Sequence, residues 1–389
     1  MNIDKVKSFI VMDILEKALE MERYGVDIIH LEIGEPDLPT PQKALEKLPE
    51  YLSKYKMGYT PSLGIQQLRE SISNYYFREY KVEIPPSNIV ITPSSSTGMY
   101  LMVSLLLDGG GEFIVFDPSY PCYPNFILHS GGEVVRVNVF KENNFNPDIS
   151  DLKKVINSRT KGLITSSPSN PTGTLLKDDI LEVLLETGLP IIVDEIYQGI
   201  VFTKPKSESS VARYFTRDGN LIISNGFSKY FSMPGWRVGW LVLPDRYIPN
   251  MQKLLQNIVI STPTPSQVLA SICISECIDI LDEYTSTYHQ RFISAKQYLE
   301  RFGFSIGYEV EGAFYIYLDM SKYTNDSYEF SKRFLEEYSV AITPGIDFGQ
   351  NMTNKFVRIS LTNRLENILV GLERLINMIY GYHPNPRPV

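Results

Sequence analysis

Four short stretches of the chain carry side chains whose types and spacing suit small-molecule chemistry. Lys229 stands in Asn225-Gly226-Phe227-Ser228-Lys229-Tyr230, followed by Met233-Pro234-Gly235-Trp236-Arg237-Val238-Gly239. An amine in such apolar and aromatic surroundings has a depressed pKa and becomes nucleophilic near neutrality. Asp194-Glu195-Ile196-Tyr197 places a carboxylate directly after the apolar run Ile191-Ile192-Val193. An acid there is costly to bury unless a cation meets it. Ser94-Ser95-Ser96-Thr97 opens a helical pattern, where free N–H groups, hydroxyls and the helix dipole together suit an anion. Ser169-Asn170-Pro171-Thr172-Gly173 is a turn by composition. Taken singly, each has a plainer reading: a solvated lysine, a strand end, an N-cap, a turn.

Each stretch follows a segment patterned as a β-strand. Apolar runs at 89–91, 113–116, 134–139, 162–165, 191–193, 221–223 and 238–243 read as strands, with helical patterns at 96–107 and 177–187. Several of these runs are apolar on consecutive positions, which is what burial on both faces demands. The expectation is a mostly parallel sheet covered by helices, with ligands beyond the carboxyl ends of its strands. A helix over 5–24 comes first, stopped by Gly25 and followed by a loop rich in turn residues. From about 285 the pattern changes to a helix at 288–302, a strand at 313–318, a helix at 327–338, a strand at 356–360 and a helix at 365–380, as in a separate, smaller α+β domain. The tail after Tyr380 reads as irregular.

Composition excludes several classes of function. The chain has 389 residues and a net charge of −8, which disfavours nucleic acid as a partner because phosphate backbones need clustered positive charge. Three cysteines (Cys122, Cys273, Cys277) cannot make a disulfide framework, and four histidines without ligand spacing argue against a metal. No apolar run approaches the roughly 20 residues of a membrane span, and the opening Met1-Asn2-Ile3-Asp4-Lys5 lacks a signal peptide's apolar core, so a cytoplasmic protein is expected. Gly109-Gly110-Gly111 reads as a tight turn rather than a phosphate loop, since no Lys-Ser/Thr follows.

In this order and at these strand ends, the motifs resemble the fold-type I pyridoxal-phosphate enzymes, specifically the class I/II aminotransferases of the aspartate aminotransferase family. The resemblance runs from Gly34-Glu35-Pro36-Asp37 through Tyr59-x4-Gly64-x3-Leu68-Arg69, Asn170-Pro171-Thr172-Gly173 and Asp194-Glu195-x-Tyr197. It continues through Ser228-Lys229-x3-Met233-x-Gly235-Trp236-Arg237-x-Gly239, Pro344-Gly345-x2-Phe348-Gly349 and Phe356-x-Arg358-Ile359-Ser360. It implies a large domain over 48–285, built on a mostly parallel seven-stranded sheet flanked by helices. A smaller α+β domain, from 1–47 and 286–389, would close on substrate.

The resemblance also implies roles. Lys229 is the Schiff-base lysine and later moves a proton between the substrate α-carbon and the cofactor. Arginine could not replace it, since it never deprotonates. Asp194 pairs with the pyridine nitrogen of pyridoxal 5'-phosphate and keeps the ring an electron sink. Tyr197 and Asn170 hydrogen-bond the ring oxygen, and Tyr120 stacks on the ring. Ser95, Ser96 and Arg237 hold the phosphate. Tyr59 reaches the phosphate of the neighbouring subunit, which makes the enzyme a homodimer with shared active sites. Arg358 clamps the substrate carboxylate, and Gly34 lets the backbone approach it. Gly226 stands where many relatives have a serine for the phosphate.

The expected reaction is ping-pong transfer of an amino group from an L-amino acid to a 2-oxo acid. The alternative on the same scaffold is β-elimination from a cysteine conjugate or other α-carbon chemistry; Arg358, which anchors the carboxylate, favours transamination. A non-catalytic, cofactor-sensing regulator would carry a basic DNA-binding module, and the acidic chain, whose family pattern starts by residue 34, argues against one. Phe9-Ile10-Val11-Met12 fall near the pocket in relatives, and these apolar residues point to neutral or aromatic substrate side chains.

Overall fold

The computed structural model describes residues 3–54 and 57–381. In chain order its strands are β1 (Ile29–Leu31), β2 (Ile89–Thr92), β3 (Glu112–Asp117), β4 (Glu133–Asn138), β5 (Thr160–Ser166), β6 (Ile191–Asp194), β7 (Leu221–Gly226), β8 (Gly239–Val242), β9 (Tyr315–Asp319), β10 (Val340–Pro344) and β11 (Phe356–Ser360). The helices are α1 (Ile10–Arg23), α2 (Gln42–Ser53), α3 (Gln66–Tyr75), α4 (Ser95–Leu106), α5 (Cys122–His129), α6 (Ile149–Val155), α7 (Asp178–Glu186), α8 (Lys206–Ser209), α9 (Ile248–Ile258), α10 (Thr264–Glu276), α11 (Ile278–Arg301), α12 (Ser327–Tyr338) and α13 (Leu365–Tyr380).

Seven strands form one sheet in the order β2-β8-β7-β6-β5-β3-β4, parallel throughout except for β8, which runs against both its neighbours. The consecutive apolar residues of its centre serve two cores. Ile164, Ile192 and Ile222 pack on one face with Met99, Met102 and Leu255. Leu163, Ile191, Val193, Leu221 and Ile223 face the other side with Val268 and Ile272. A strand with helices over both faces has no polar side, which is why the period of two disappears from these runs. The second sheet has the order β1-β10-β11-β9, with β1 parallel to β10 and the other pairs antiparallel. The helix α13 covers it, burying Ile368, Leu372, Leu375 and Ile376 at helical spacing.

The expected strands and the helices at 327–338 and 365–380 stand within two residues of where the pattern puts them, except that β7 runs three residues past Ile223. Three expectations need correction, and one helix offered no pattern to read. The helix expected over 5–24 begins only at Ile10, where the carboxylate of distant Asp347, in place of a local capping side chain, accepts the N–H groups of Ile10 and Val11 at 2.9 and 3.4 Å. The turn-rich stretch after Gly25 contains β1, α2 and α3; Pro49 lies inside α2 and reads as a breaker. The helix expected from 288 starts at Ile278, so residue 285 falls inside a continuous helix. Finally, α10 carries no amphipathic signal because every residue from Ser266 to Ile274 is buried.

The three glycines at 109–111 all adopt positive φ in the turn between α4 and β3. Cys273 and Cys277 are buried. No helix among the described residues is long and apolar enough to cross a membrane, and those residues hold no group of three or more potential metal ligands. The tail after Gly381, with His383, lies outside the described residues.

Candidate active site

Because only β8 is reversed, the carboxyl ends of β2, β3, β5, β6 and β7 and the start of β8 share one edge of the large sheet. A cavity of about 480 Å³ opens there and is closed from the other side by the loop after β1, by β9 and β11, and by the segment at 347–348. Ten of the residues singled out from sequence line it: Gly34, Ser95, Ser96, Tyr120, Asn170, Asp194, Tyr197, Lys229, Arg237 and Arg358. Tyr59 does not; it is 84% exposed and absent from the wall of its own chain's pocket.

The anion-binding corner is built locally. Ser94 is the N-cap of α4, its Oγ accepting the Thr97 N–H at 3.0 Å, which leaves the N–H groups of Ser95 and Ser96 in the first turn without helical acceptors. The start of β8 presses close behind them, and a Cβ on Gly239 would come within 2.6 Å of the Ser94 carbonyl carbon. Arg237, in the left-handed region at φ 52°, donates from Nη1 to the Pro234 carbonyl at 3.0 Å and is otherwise exposed at the rim. A side chain at Gly226 would meet the Ile196 Cδ1 at 3.0 Å and the Val238 carbonyl at 3.3 Å, so a serine has little room there.

Asp194, the last residue of β6, is 2% exposed and touches only neutral donors: the Tyr123 hydroxyl at 2.9 Å and the Ile196 N–H at 3.2 Å. Burial outweighs both and pushes its carboxyl up to about 7. Its neighbour Glu195, fully buried on Ser210 Oγ and the Val211 N–H, is pushed up to about 7 by the same cause. Lys229 Nζ donates to the Gly34 carbonyl across the cavity. Burial first, then the nearby charges of Arg358 and Arg237, bring its amine down to about 8 against the opposing pull of Glu35 and Asp194.

Arg358 lies in the middle of β11 and is 6% exposed. Its Nη1 donates to Asn170 Oδ1 at 2.9 Å, and its Nη2 to the Glu32 carbonyl at 2.6 Å and to Thr343 Oγ1 at 3.1 Å. All three acceptors are neutral, and the buried Nε has no partner among the described residues. The guanidinium lies over the rings of Tyr315 (4.3 Å) and Phe348 (4.9 Å). Tyr315 also meets the Tyr197 hydroxyl at 2.7 Å and occupies the space a Cβ at Gly34 would need. That clash is a second reason for glycine at 34, besides backbone approach.

Three demands are therefore unmet in one cavity: a buried carboxylate without a cation, a buried guanidinium without an anion, and a helix start offering free N–H groups. An amine brought toward its neutral form stands among them. A ligand carrying a phosphate, a ring cation and an aldehyde, followed by a substrate carboxylate, fits this donor set. Sequence reading missed Tyr123, Tyr315 and Asp347, and it quoted Phe348 only within a motif, with no role. Tyr123, in the first turn of α5, lies three residues past Tyr120 and meets its ring edge-on, the one local signal that points to it; Tyr315 sits in an ordinary apolar strand.

The family model described as aminotransferase class I and II matches residues 26–375. The chain is 38% identical over 373 residues to the (5-formylfuran-3-yl)methyl phosphate transaminase of Methanocaldococcus jannaschii, covering 95% of this chain and 96% of that one. It is 32% identical over 375 residues to the valine–pyruvate aminotransferase of Mycobacterium tuberculosis, covering 95% and 96%. The solved structure of the Thermotoga maritima aspartate aminotransferase superposes with a TM-score of 0.89 at 30% identity, covering 97% of this chain and 99% of that one.

Proposed function

The chain belongs to the class I and II aminotransferases and is itself a transaminase, and we propose that it moves the amino group of an L-amino acid to a 2-oxo acid with pyridoxal 5'-phosphate held in the cavity described above. When bound, that group supplies an electron sink for the α-carbon. The N–H groups and hydroxyls of Ser95 and Ser96, with Arg237, hold its phosphate. Asp194 holds the ring nitrogen protonated, Tyr120 covers the ring face, and Asn170 and Tyr197 hydrogen-bond the ring oxygen. Lys229 would hold the group through its aldehyde and, once the substrate's own amine had displaced it, its freed amine would move the proton at the substrate α-carbon. Arg358, beside Gly34, takes the substrate carboxylate. The observation that carries this reading is the pairing of a buried, cation-free Asp194 with a depressed Lys229 in one cavity.

The exposure of Tyr59 suits a residue that completes a partner subunit's phosphate site, so the working unit in this reading is a homodimer, placed in the cytoplasm. The unit made of the N-terminal segment and the C-terminal third, which carries Gly34 and Arg358, closes on the large unit when substrate binds. Small-angle scattering checks this: the radius of gyration falls when a substrate analogue is added, and identical profiles with and without it would refute closure.

The relatives' names range from valine to aspartate to a furan phosphate, so the substrate is read from the pocket itself. Phe9 and Val11 line it, with Tyr120 and Phe348, and its cations Lys229, Arg237 and Arg358 are all engaged in this reading. A wall of that kind favours neutral or aromatic side chains over dicarboxylates. Mixing the protein with single amino acids and following the cofactor's visible band tests both reaction and preference. Tyrosine, methionine or alanine convert the band, and the amino form is discharged by a 2-oxo acid. A preference for aspartate by orders of magnitude would overturn the substrate class. Pyruvate release from a cysteine conjugate with no oxo acid present would point to β-elimination instead.

A further inference from the structure

Arg291, on α11, is absent from the cavity wall, yet it grips two segments that each carry a carboxylate-binding group in the reading above. Its guanidinium meets Asp37 with both arms, Nη1 to Oδ1 at 2.7 Å and Nη2 to Oδ2 at 2.8 Å. Nη1 also donates to the Leu361 carbonyl at 3.1 Å. Asp37 lies three residues beyond Gly34 in the loop leaving β1, and Leu361 lies three residues beyond Arg358 in the segment leaving β11. The arginine side chain is only 8% exposed and sits over the Tyr288 ring at 5.4 Å.

We infer that Arg291, through Asp37 and Leu361, is a positioning residue that sets the spacing between Gly34 and Arg358 and so shapes the seat of the substrate carboxylate. The inference rests on Arg358 and Gly34 taking that carboxylate. The near side of the loop is stapled to the small sheet by other contacts: the Glu32 carbonyl accepts Thr343 Oγ1 at 2.7 Å and the Ile33 carbonyl accepts Thr362 Oγ1 at 3.2 Å. Past Gly34 the chain crosses toward the lysine loop, where Thr40 Oγ1 donates to the Ser232 carbonyl at 2.7 Å. Between these anchors, the Arg291–Asp37 pair ties the far side of Gly34 back to the element that follows Arg358. A two-armed guanidinium–carboxylate pair fixes direction as well as distance, and in a buried setting losing one partner leaves the other charge uncompensated. Lysine would keep the charge and lose the fork.

The test uses the holoenzyme with Arg291→Met, Arg291→Lys and Asp37→Asn. Asp37→Asn keeps size and one hydrogen bond at a partly exposed position, so it reports even if Arg291→Met does not fold. The expected result is a rise in KM for the amino acid, and in the Kd of the matching acid without its amino group measured by calorimetry. Both rise on the order of 10- to 100-fold, about what weakening a charge-assisted hydrogen bond to a carboxylate costs. kcat and the cofactor's visible band stay close to the parent's. Arg291→Lys falls between, and Arg291→Met with Asp37→Asn is no worse than the more severe single change, as residues acting as one unit require. A lowered melting temperature with KM and Kd unmoved, or a fall in kcat alone, overturns the inference. Arg358→Lys run in parallel separates the two readings. If it leaves KM unchanged, the carboxylate assignment fails and this inference with it; if it raises KM while Asp37→Asn does not, only the Arg291 inference fails.

Discussion

Lys229→Ala leaves a protein that folds but neither takes up the visible band of a cofactor-bound enzyme nor labels at this position on borohydride reduction. Its turnover falls by about 10²–10⁴ from lost proton transfer alone, and further from lost covalent attachment. Lys229→Arg does not rescue it, because a guanidinium stays charged. The size of the effect follows from what the fold does to the amine. Brought down to about 8, it is neutral in about 10% of molecules at pH 7, against about 0.03% for an ordinary lysine. Addition of the aldehyde therefore accelerates as pH rises from 7 and levels off above about 8, whereas an exposed lysine keeps gaining past 10. The folded, cofactor-free protein binds fewer protons here than the unfolded chain between about 8 and 10.5, so this group makes stability rise with pH across that window. Stopped-flow absorbance across pH measures the first effect. A rate still climbing at pH 10, or equal uptake by the alanine variant, would sink the assignment.

Asp194→Asn lowers kcat by on the order of 10²–10³ while substrate affinity changes little, because the carboxylate acts on the charge that develops in the ring. A second, opposite effect accompanies it. Burial raises the Asp194 carboxyl to about 7, so between the unfolded value near 3.8 and that point the folded, cofactor-free protein holds a proton the unfolded chain has released. Stability from this group is then greatest below about 4 and falls as pH rises toward 7; Glu195, also pushed up to about 7, adds to the same slope. Asparagine removes the Asp194 share. At pH 8 the cofactor-free variant is thus at least as stable as the parent, whereas the loaded variant gains less on binding than the parent does. Melting curves with and without cofactor display this crossing. Unchanged kcat, or equal losses of stability in both forms, would remove Asp194 from the ring-nitrogen role.

Arginine 358 shows both sides of what could be read in advance. The motif Phe356-x-Arg358-Ile359-Ser360 located it on a strand of the smaller unit, because a short apolar run and its one charged member are local facts. That its Nε would find no partner among the described residues, while its Nη2 reaches the Glu32 carbonyl and its guanidinium lies over Tyr315, depends on strands from three distant parts of the chain meeting in one register. Likewise, the consecutive apolar residues of β5 to β7 announced a doubly covered sheet, while α10, buried on every side from Ser266 to Ile274, gave no period to read.

By itself, then, the order of residues named the candidates, a lysine, an acid and an anion-binding helix start after strands and an arginine within one, in a set order, since backbone patterning and turn composition act over a few residues. Only tertiary structure decided which partners surround them. Tyr123 against Asp194, Tyr315 in place of a Gly34 side chain, Asp347 as the cap of α1, and Arg291 across Asp37 and Leu361 are all set by long-range packing. Those contacts remove water and choose the neighbouring charges, and that is what turns an ordinary acid and an ordinary amine into a pair drawn toward the same neutral pH.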